Sequence, residues 1–153
     1  MSRFRFRLER LLDLRRQERR AAEMALGLAL AAEREAEDRC RFLESARAAA
    51  RRRWLRERGG APSGLWRQRA AWLDELERLL AEAHIQQEQA SARVEQARVQ
   101  LASARTAERS LERLRRRRFL AWRIEADRQE QRELDELARL RWLRQRQEGG
   151  EPA

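Results

Sequence analysis

Apolar residues recur along the first half of the chain at alternating steps of three and four positions. One track of seven-residue steps consists of Ala22, Ala29, Ala36, Leu43 and Ala50. A neighbouring track consists of Phe4, Leu11, Glu18, Ala25, Ala32, Arg39 and Ala46. Two such tracks form the apolar stripe with which one helix packs on another in a coiled coil. The pattern therefore predicts a helix over about residues 4–57.

The same pattern returns in the second half and continues for longer. One track consists of Leu73, Leu80, Gln87, Val94 and Leu101, and the other of Leu76, Ala83, Ala90, Ala97, Ala104 and Leu111. Between the halves, residues 58–64 contain glycines and a proline, which end helices and predict a turn. A turn this short favours antiparallel neighbours. We predict a second helix over about residues 65–147 and an all-α, antiparallel coiled-coil hairpin that occupies residues 1–148 as one domain, with a flexible tail at 149–153.

The two predicted helices differ in length, roughly 80 Å against roughly 125 Å at 1.5 Å per residue. Folding back at the turn places Phe4 opposite Arg118 or its neighbours, so the rest of the second helix has no partner within the chain. That remainder still carries apolar residues, namely Trp122, Leu134, Leu137 and Leu140. An uncovered apolar stripe usually packs on another molecule. We predict that this overhang binds a different protein, with a frayed end or a second copy of the chain as the alternatives.

Composition agrees with a narrow seam rather than a thick core, because 41% of the residues are charged and the mean hydropathy is −0.95. The net charge is +10, although acidic residues are interleaved with the arginines in the manner of solvated helix faces. The runs Arg51–Arg53 and Arg115–Arg118, with tryptophans nearby, leave nucleic-acid binding open as an alternative. Successive arginines point to all sides of a helix, which disfavours a single binding groove.

Candidate chemistry is sparse, and we expect neither an enzyme nor a bound cofactor or metal. The sequence lacks a phosphate-binding loop, and His84, the one histidine, has no second ligand at metal-binding spacing. Cys40 is the only cysteine, so it forms no intrachain disulfide, and we expect it to be a small buried apolar residue. Because no signal peptide or membrane span is evident, we expect a soluble cytoplasmic protein, with amphipathic membrane association as an alternative.

Two stretches are more specific than a general coiled coil. Residues 4–15 read F-x-F-x-L-E-x-L-L-x-L-R, and residues 131–138 read Q-x-x-L-D-E-x-A. Both resemble the FliJ family, the stalk-like component of the bacterial flagellar type III export apparatus. The resemblance implies an antiparallel two-helix stalk, similar to the rotor stalk of rotary ATPases, whose terminal end enters the central hole of a hexameric export ATPase. It also implies contact with the export-gate membrane protein, delivery of export chaperones, and a location at the inner face of the cell membrane. The equivalent stalk of a virulence type III secretion system is the alternative.

The resemblance also assigns two sets of residues. The end that faces the ATPase would involve Phe4, Phe6, Leu8, Leu11, Gln131, Leu134, Asp135, Glu136 and Leu137. The face that contacts the export gate would involve Leu43, Trp72, Leu76, Leu79 and His84.

Overall fold

The protein consists of two long helices. The computed structural model describes residues 3–57 and 62–149, without the side chains of residues 63 and 148. Helix α1 spans Glu9–Arg56 and helix α2 spans Ser63–Glu148, and the described residues contain no strand. The helices pack against each other, which confirms the predicted all-α hairpin with a longer second helix. Residues 58–61 of the predicted turn and 150–153 of the predicted tail lie outside the described residues.

Local chemistry explains where the helices begin and end. Both are rich in Ala, Leu, Arg and Glu, which have high helix propensity. In α1, Glu9 lies in the first turn and Arg56 in the last, so each charge opposes the nearby end of the helix dipole. Pro62 directly precedes α2, and its carbonyl accepts a hydrogen bond of 3.0 Å from the Leu65 N–H. Residues 3–8 precede α1 without α-helical structure.

The chain divides into two compact units, and both helices contribute to each. The body unit, Gln17–Arg105, has a core cluster of Cys40, Leu43, Leu76, Leu80 and Ala83. Ion pairs between the helices show their opposite directions: Glu23 of α1 meets Arg105 of α2 at 3.1 Å, whereas Arg51 meets Glu77 at 2.6 Å. The burial of Cys40, which is 4% exposed, confirms its predicted role as a small apolar residue.

The seam of α2 is the predicted one. The residues of its two tracks are buried or half-buried from Leu73 through Leu111. In α1 the track from Ala22 to Ala50 is also confirmed, with Leu43 buried and the alanines half-buried. The second α1 track is confirmed at Phe4 and Ala46, which are half-buried, and is wrong by one position between them. Its members Leu11, Glu18, Ala25, Ala32 and Arg39 are exposed, whereas the residues that follow them, Leu12, Arg19, Leu26, Glu33 and Cys40, are buried or half-buried.

Two properties of α1 explain this shift. Residues 21–32 are almost entirely apolar, so more than one face of the helix satisfies the heptad pattern. The track that faces α2 also contains Arg19, Glu33 and Arg47. A search for apolar residues at heptad spacing does not identify charged residues as part of a seam. Long charged side chains occupy these positions because their methylene stems pack while their charged ends reach water.

The end unit contains the residues up to Arg16 and those from Thr106 onward. Leu12 is fully buried there, and the carboxylate of Glu108, 8% exposed, lies 3.9 Å from Arg16. Glu9 pairs with Arg115 at 3.1 Å. The ring of Phe4 lies 5.3 Å from that of Phe119, which confirms the register predicted from the helix lengths.

Beyond this contact, α2 continues without cover. Every side chain from Asp127 to Gln147, which we call the C-terminal overhang, is exposed. Its large apolar residues are 41–60% exposed, and they are Leu134, Leu137, Leu140, Trp142 and Leu143. The predicted unpartnered stretch is therefore confirmed within the chain. Trp122 is a correction, because it was expected in the uncovered stripe and is half-buried against Phe4, with ring centroids 5.8 Å apart.

Candidate functional site

The residues assigned to the ATPase-facing end form two groups, both in the end unit. Phe4, Phe6, Leu8 and Leu11 belong to the N-terminal segment and the start of α1, where the phenylalanines are half-buried and the leucines 39% and 36% exposed. The second group, all exposed on the overhang, consists of Gln131, Leu134, Asp135, Glu136 and Leu137. Phe4 contacts α2 at Trp122, and the helix rises about 13 Å from there to Gln131. The first group therefore lies where the N-terminal segment and α1 meet α2, and the second lies further along α2 on its uncovered part.

An aromatic cluster holds the N-terminal segment on α2. Phe4 meets Phe119 edge to face, with ring planes at 80°, and Phe119 stacks on Trp122 at 5.9 Å. Arg115 and Arg116 border the cluster in a groove of about 380 Å³ that Phe4 and Phe119 also line. Aromatic pairs in these geometries add about 0.5–1.5 kcal/mol beyond the area they bury. The segment ahead of α1 is thus packed against α2 rather than free.

The apolar stripe of the overhang winds around the helix. Leu134, Leu137, Leu140 and Leu143 follow one another at steps of three residues. A step of three falls short of the 3.6-residue turn, so each leucine is rotated by about 60° from the last. The four together sweep about half the circumference. Arg146 lies 4.9 Å from the ring of Trp142, which fills part of the remaining face. A partner that covers this stripe has to contact the helix from more than one side.

The residues assigned to the export-gate face are divided between core and surface. Leu43 and Leu76 are 7% and 2% exposed and belong to the core cluster of the body unit. Trp72 is 55% exposed, and Leu79 is half-buried at the edge of that cluster. The His84 side chain is exposed, with its Nε2 3.8 Å from the Glu44 carboxylate. Direct contact with a partner is therefore open to Trp72, Leu79 and His84, whereas Leu43 and Leu76 support the helices beneath them.

Sequence reasoning missed two features of potential function. Trp54 and Trp66 pack edge to face across the two helices, 5.8 Å apart, where the sequence only offered them as possible base-stacking residues. The buried Glu108 continues the heptad track of Leu73, Leu80, Val94 and Leu101. The register of the hairpin signals both, because it pairs residues near 54 with residues near 66 and identifies a polar residue at a seam position.

Two searches of the described residues give negative results. None of these residues form a group of three or more histidine, cysteine or acidic side chains able to hold a metal ion. Within the same part of the chain, neither helix is apolar enough over a sufficient length to cross a membrane.

Comparison with known proteins gives one match. The model of the family described as "Flagellar FliJ protein" matches residues 4–147, nearly the whole chain. Searches of curated proteins and of solved structures give no significant match. The matched range includes both stretches whose sequence resembles this family, and the fold is the helical hairpin that the resemblance implies. The chain belongs to the FliJ family of flagellar proteins.

Proposed function

We propose that this protein is the stalk of a flagellar type III export apparatus and that its C-terminal overhang binds a hexameric export ATPase. The observation that carries the proposal is the exposed apolar stripe beyond the reach of α1. Helix α2 retains apolar residues there although no other part of the described chain covers them. Large apolar side chains grouped on an exposed helix are typical of a binding surface.

The winding of the stripe supports a partner that surrounds the helix. Leucines that sweep about half the circumference are not buried by one flat surface or by a single groove. The central hole of a ring contacts an inserted helix from all sides. Arginines and acidic residues alternate with the leucines, and charges at such positions fix orientation more than they add affinity. The aromatic cluster around Phe4 then marks where the inserted part of α2 begins.

The other proposed partners are the export gate and the export chaperones. We assign export-gate contact to Trp72, Leu79 and His84 in the body unit, because these are the accessible members of the expected face. Export chaperones are the third class of partner. This role places the protein in the cytoplasm, at the inner face of the cell membrane. It consists of binding and transmission, so it requires no catalytic residue and no cofactor. A virulence secretion stalk would use the same surfaces, but the matching family is flagellar, which favours the flagellar system.

The decisive experiment is binding of the full chain to its cognate export ATPase. In the test variant L134S/L137S/L140S, three exposed leucines of the overhang become polar. The control M24S/L28S/F42S makes the same change in the body unit, at residues that are 71–73% exposed. We expect the test variant to weaken ATPase binding at least tenfold and to lose stimulation of ATP hydrolysis, because interface side chains of this kind contribute about 1 kcal/mol or more each.

A deletion from Asp127 onward should have the same effect while it leaves the aromatic cluster intact. If ATPase binding survives both changes and is lost in M24S/L28S/F42S, the overhang is not the binding site. A pull-down with the cytoplasmic part of the gate protein tests the gate contact separately from the ATPase contact. W72A should reduce binding to the gate protein and leave ATPase binding unchanged.

A further inference from the structure

Charge is distributed unevenly in the body unit. We call residues 46–57 and 62–74 the hairpin end. It contains seven arginines but only two acidic residues, Glu57 and Asp74. The rest of the unit, residues 17–45 and 75–105, contains nine arginines and twelve acidic residues. The basic character of this unit is therefore confined to the end where α1 stops and α2 starts.

The ion pairs of the hairpin end use only some of these arginines. Glu57 accepts a hydrogen bond of 3.2 Å from Arg53 and also pairs with Arg69, and these interactions hold the pKa of its carboxyl below the usual value. Arg51 pairs with Glu77 at 2.6 Å. By contrast, Arg52, Arg56 and Arg67 are exposed and form no ion pair within the described part of the chain. Three cations are thus available to an external anion.

Apolar and aromatic groups lie among these cations. Leu55 is 66% exposed, Trp72 55% and Leu65 42%. Two grooves of about 370 and 420 Å³ share Trp54 and Leu73. Leu55 and Trp66 also line the first groove, beside Arg51, Asp74 and Glu77. Leu65 and Trp72 also line the second, beside Arg53, Arg69 and the three alanines Ala46, Ala49 and Ala50. Apart from the shared Trp54 and Leu73, the two grooves are lined by different residues of both helices. Apolar surface is therefore exposed on two sides of the hairpin end.

We propose that the hairpin end binds the surface of an anionic lipid bilayer. Arginines attract acidic headgroups, and tryptophan and leucine side chains enter the boundary between headgroups and acyl chains. A peptide helix from an acidic protein would occupy one groove and would leave the other apolar side in water. A bilayer surface receives both sides together with the arginines between them. The proposed export function assigns only a protein contact to this end, through Trp72, so the lipid contact is additional to it.

Vesicle flotation with the full chain tests the proposal. The vesicles contain phosphatidylglycerol and phosphatidylethanolamine, or phosphatidylcholine alone as the neutral control. The test variant is R52E/R56E/R67E. The control R20E/R34E/R39E changes the charge equally, at exposed arginines of the body unit that are without ion pairs among the described residues. We expect the wild type to float with the anionic vesicles only. The test variant should lose about a hundredfold in partition coefficient, since each arginine contributes about fivefold near such a surface.

Tryptophan fluorescence locates the contact. The chain has five tryptophans, and W122F/W142F leaves only Trp54, Trp66 and Trp72, all at the hairpin end. We expect a blue shift with anionic vesicles and quenching by lipids brominated on their acyl chains. The variant R116E/R117E/R118E tests the basic stretch of the end unit in the same assays. It should retain most of the binding to anionic vesicles.

Three results would overturn the proposal. The first is that the wild type does not float with anionic vesicles. The second is that the test and control variants lose vesicle binding equally, and the third is that only R116E/R117E/R118E loses it. If the wild type binds poly-glutamate but not vesicles, and the test variant loses that binding, the hairpin end is a site for an acidic protein segment. None of these assays includes the ATPase or the gate, so their failure leaves the export proposal to its own test.

Discussion

Two stretches of the same helix differ in how much of their apolar surface is covered. In the body unit, Leu73, Leu80 and Leu101 of α2 are 4–7% exposed. In the overhang, Leu134, Leu137 and Leu140 are 51–60% exposed. The covered stretch is richer in alanine and the overhang more highly charged, but both carry leucines among charged residues and both are α-helical. Local sequence therefore determines that each is a helix, whereas the reach of α1 determines which leucines stabilise the fold and which remain for a partner.

The largest effect expected from this difference concerns stability. In the covered stretch, Leu80→Ala removes a side chain that is 4% exposed and should lower the free energy of unfolding by about 2–5 kcal/mol. In the overhang, Leu140→Ala removes a side chain that is half in water and should change it by less than about 0.5 kcal/mol. Urea unfolding followed by circular dichroism measures both. Similar losses in the two variants would mean that the overhang is covered in solution, with self-association as the first explanation to examine.

The aromatic cluster marks the boundary between covered and uncovered helix. Phe4→Ala removes the ring that contacts both Phe119 and Trp122, and should cost about 1–2 kcal/mol of local stability. Amide hydrogen exchange in the first turns of α1 should become faster, because the segment ahead of Glu9 loses its attachment to α2. The control is Phe42→Ala, at a side chain that is 71% exposed. Unchanged exchange in the Phe4 variant would show that the segment does not stabilise the start of α1.

Sequence alone predicted α2 better than α1, and the reason is physical. In α2 the seam positions are mostly leucine, valine or alanine, and charged residues flank them, so only one face satisfies the pattern. In α1 the residues around Met24 and Leu28 are apolar on several sides, and the true seam includes Arg19 and Glu33. The tryptophan contact at the hairpin end was also missed, although the register predicted from the helix lengths brings residues near 54 and 66 together. It depends on the register across the turn, which periodicity within either helix does not specify.

Substitution of the buried Glu108 tests how much a charged residue at a seam position lowers the free energy of unfolding. Glu108→Leu extends the leucine track of α2 and removes the carboxylate of a residue that is 8% exposed. Arg16 is one-third exposed and keeps Asp13 and Glu112 as partners at 3.5 Å, so the substitution leaves no unpaired buried charge. We therefore expect a gain of about 1 kcal/mol in the free energy of unfolding from the added apolar packing. The same urea experiment measures it, with Glu112→Leu, at a half-exposed partner of Arg16, as the control. A clear loss of stability in the Glu108 variant would show that its interaction with Arg16 holds the end unit together.

The smallest expected effect is the pH dependence of the ion pairs that join the two helices. Hydrogen bonds from Arg105, and then from Arg19, lower the pKa of Glu23 from its ordinary value of 4.5. A carboxyl whose pKa is lower in the folded state stabilises the fold above its unfolded pKa, and this contribution is lost as the pH falls through the folded pKa. The melting temperature should therefore decrease between pH 7 and about pH 3, and Glu23→Gln should reduce that decrease.

The reduction is partial, because Glu57 and Glu75 have pKa values lowered by Arg53 and Arg78 and still titrate in the variant. The control Glu35→Gln removes an exposed carboxyl that has no ion pair among the described residues. It should leave the acid-induced decrease as in the wild type. If both variants behave alike, the contact between Glu23 and Arg105 does not couple the helices in solution. The apolar seam would then contribute more to the covered part of α2 than this ion pair does, so that burial distinguishes the covered stretch from the overhang.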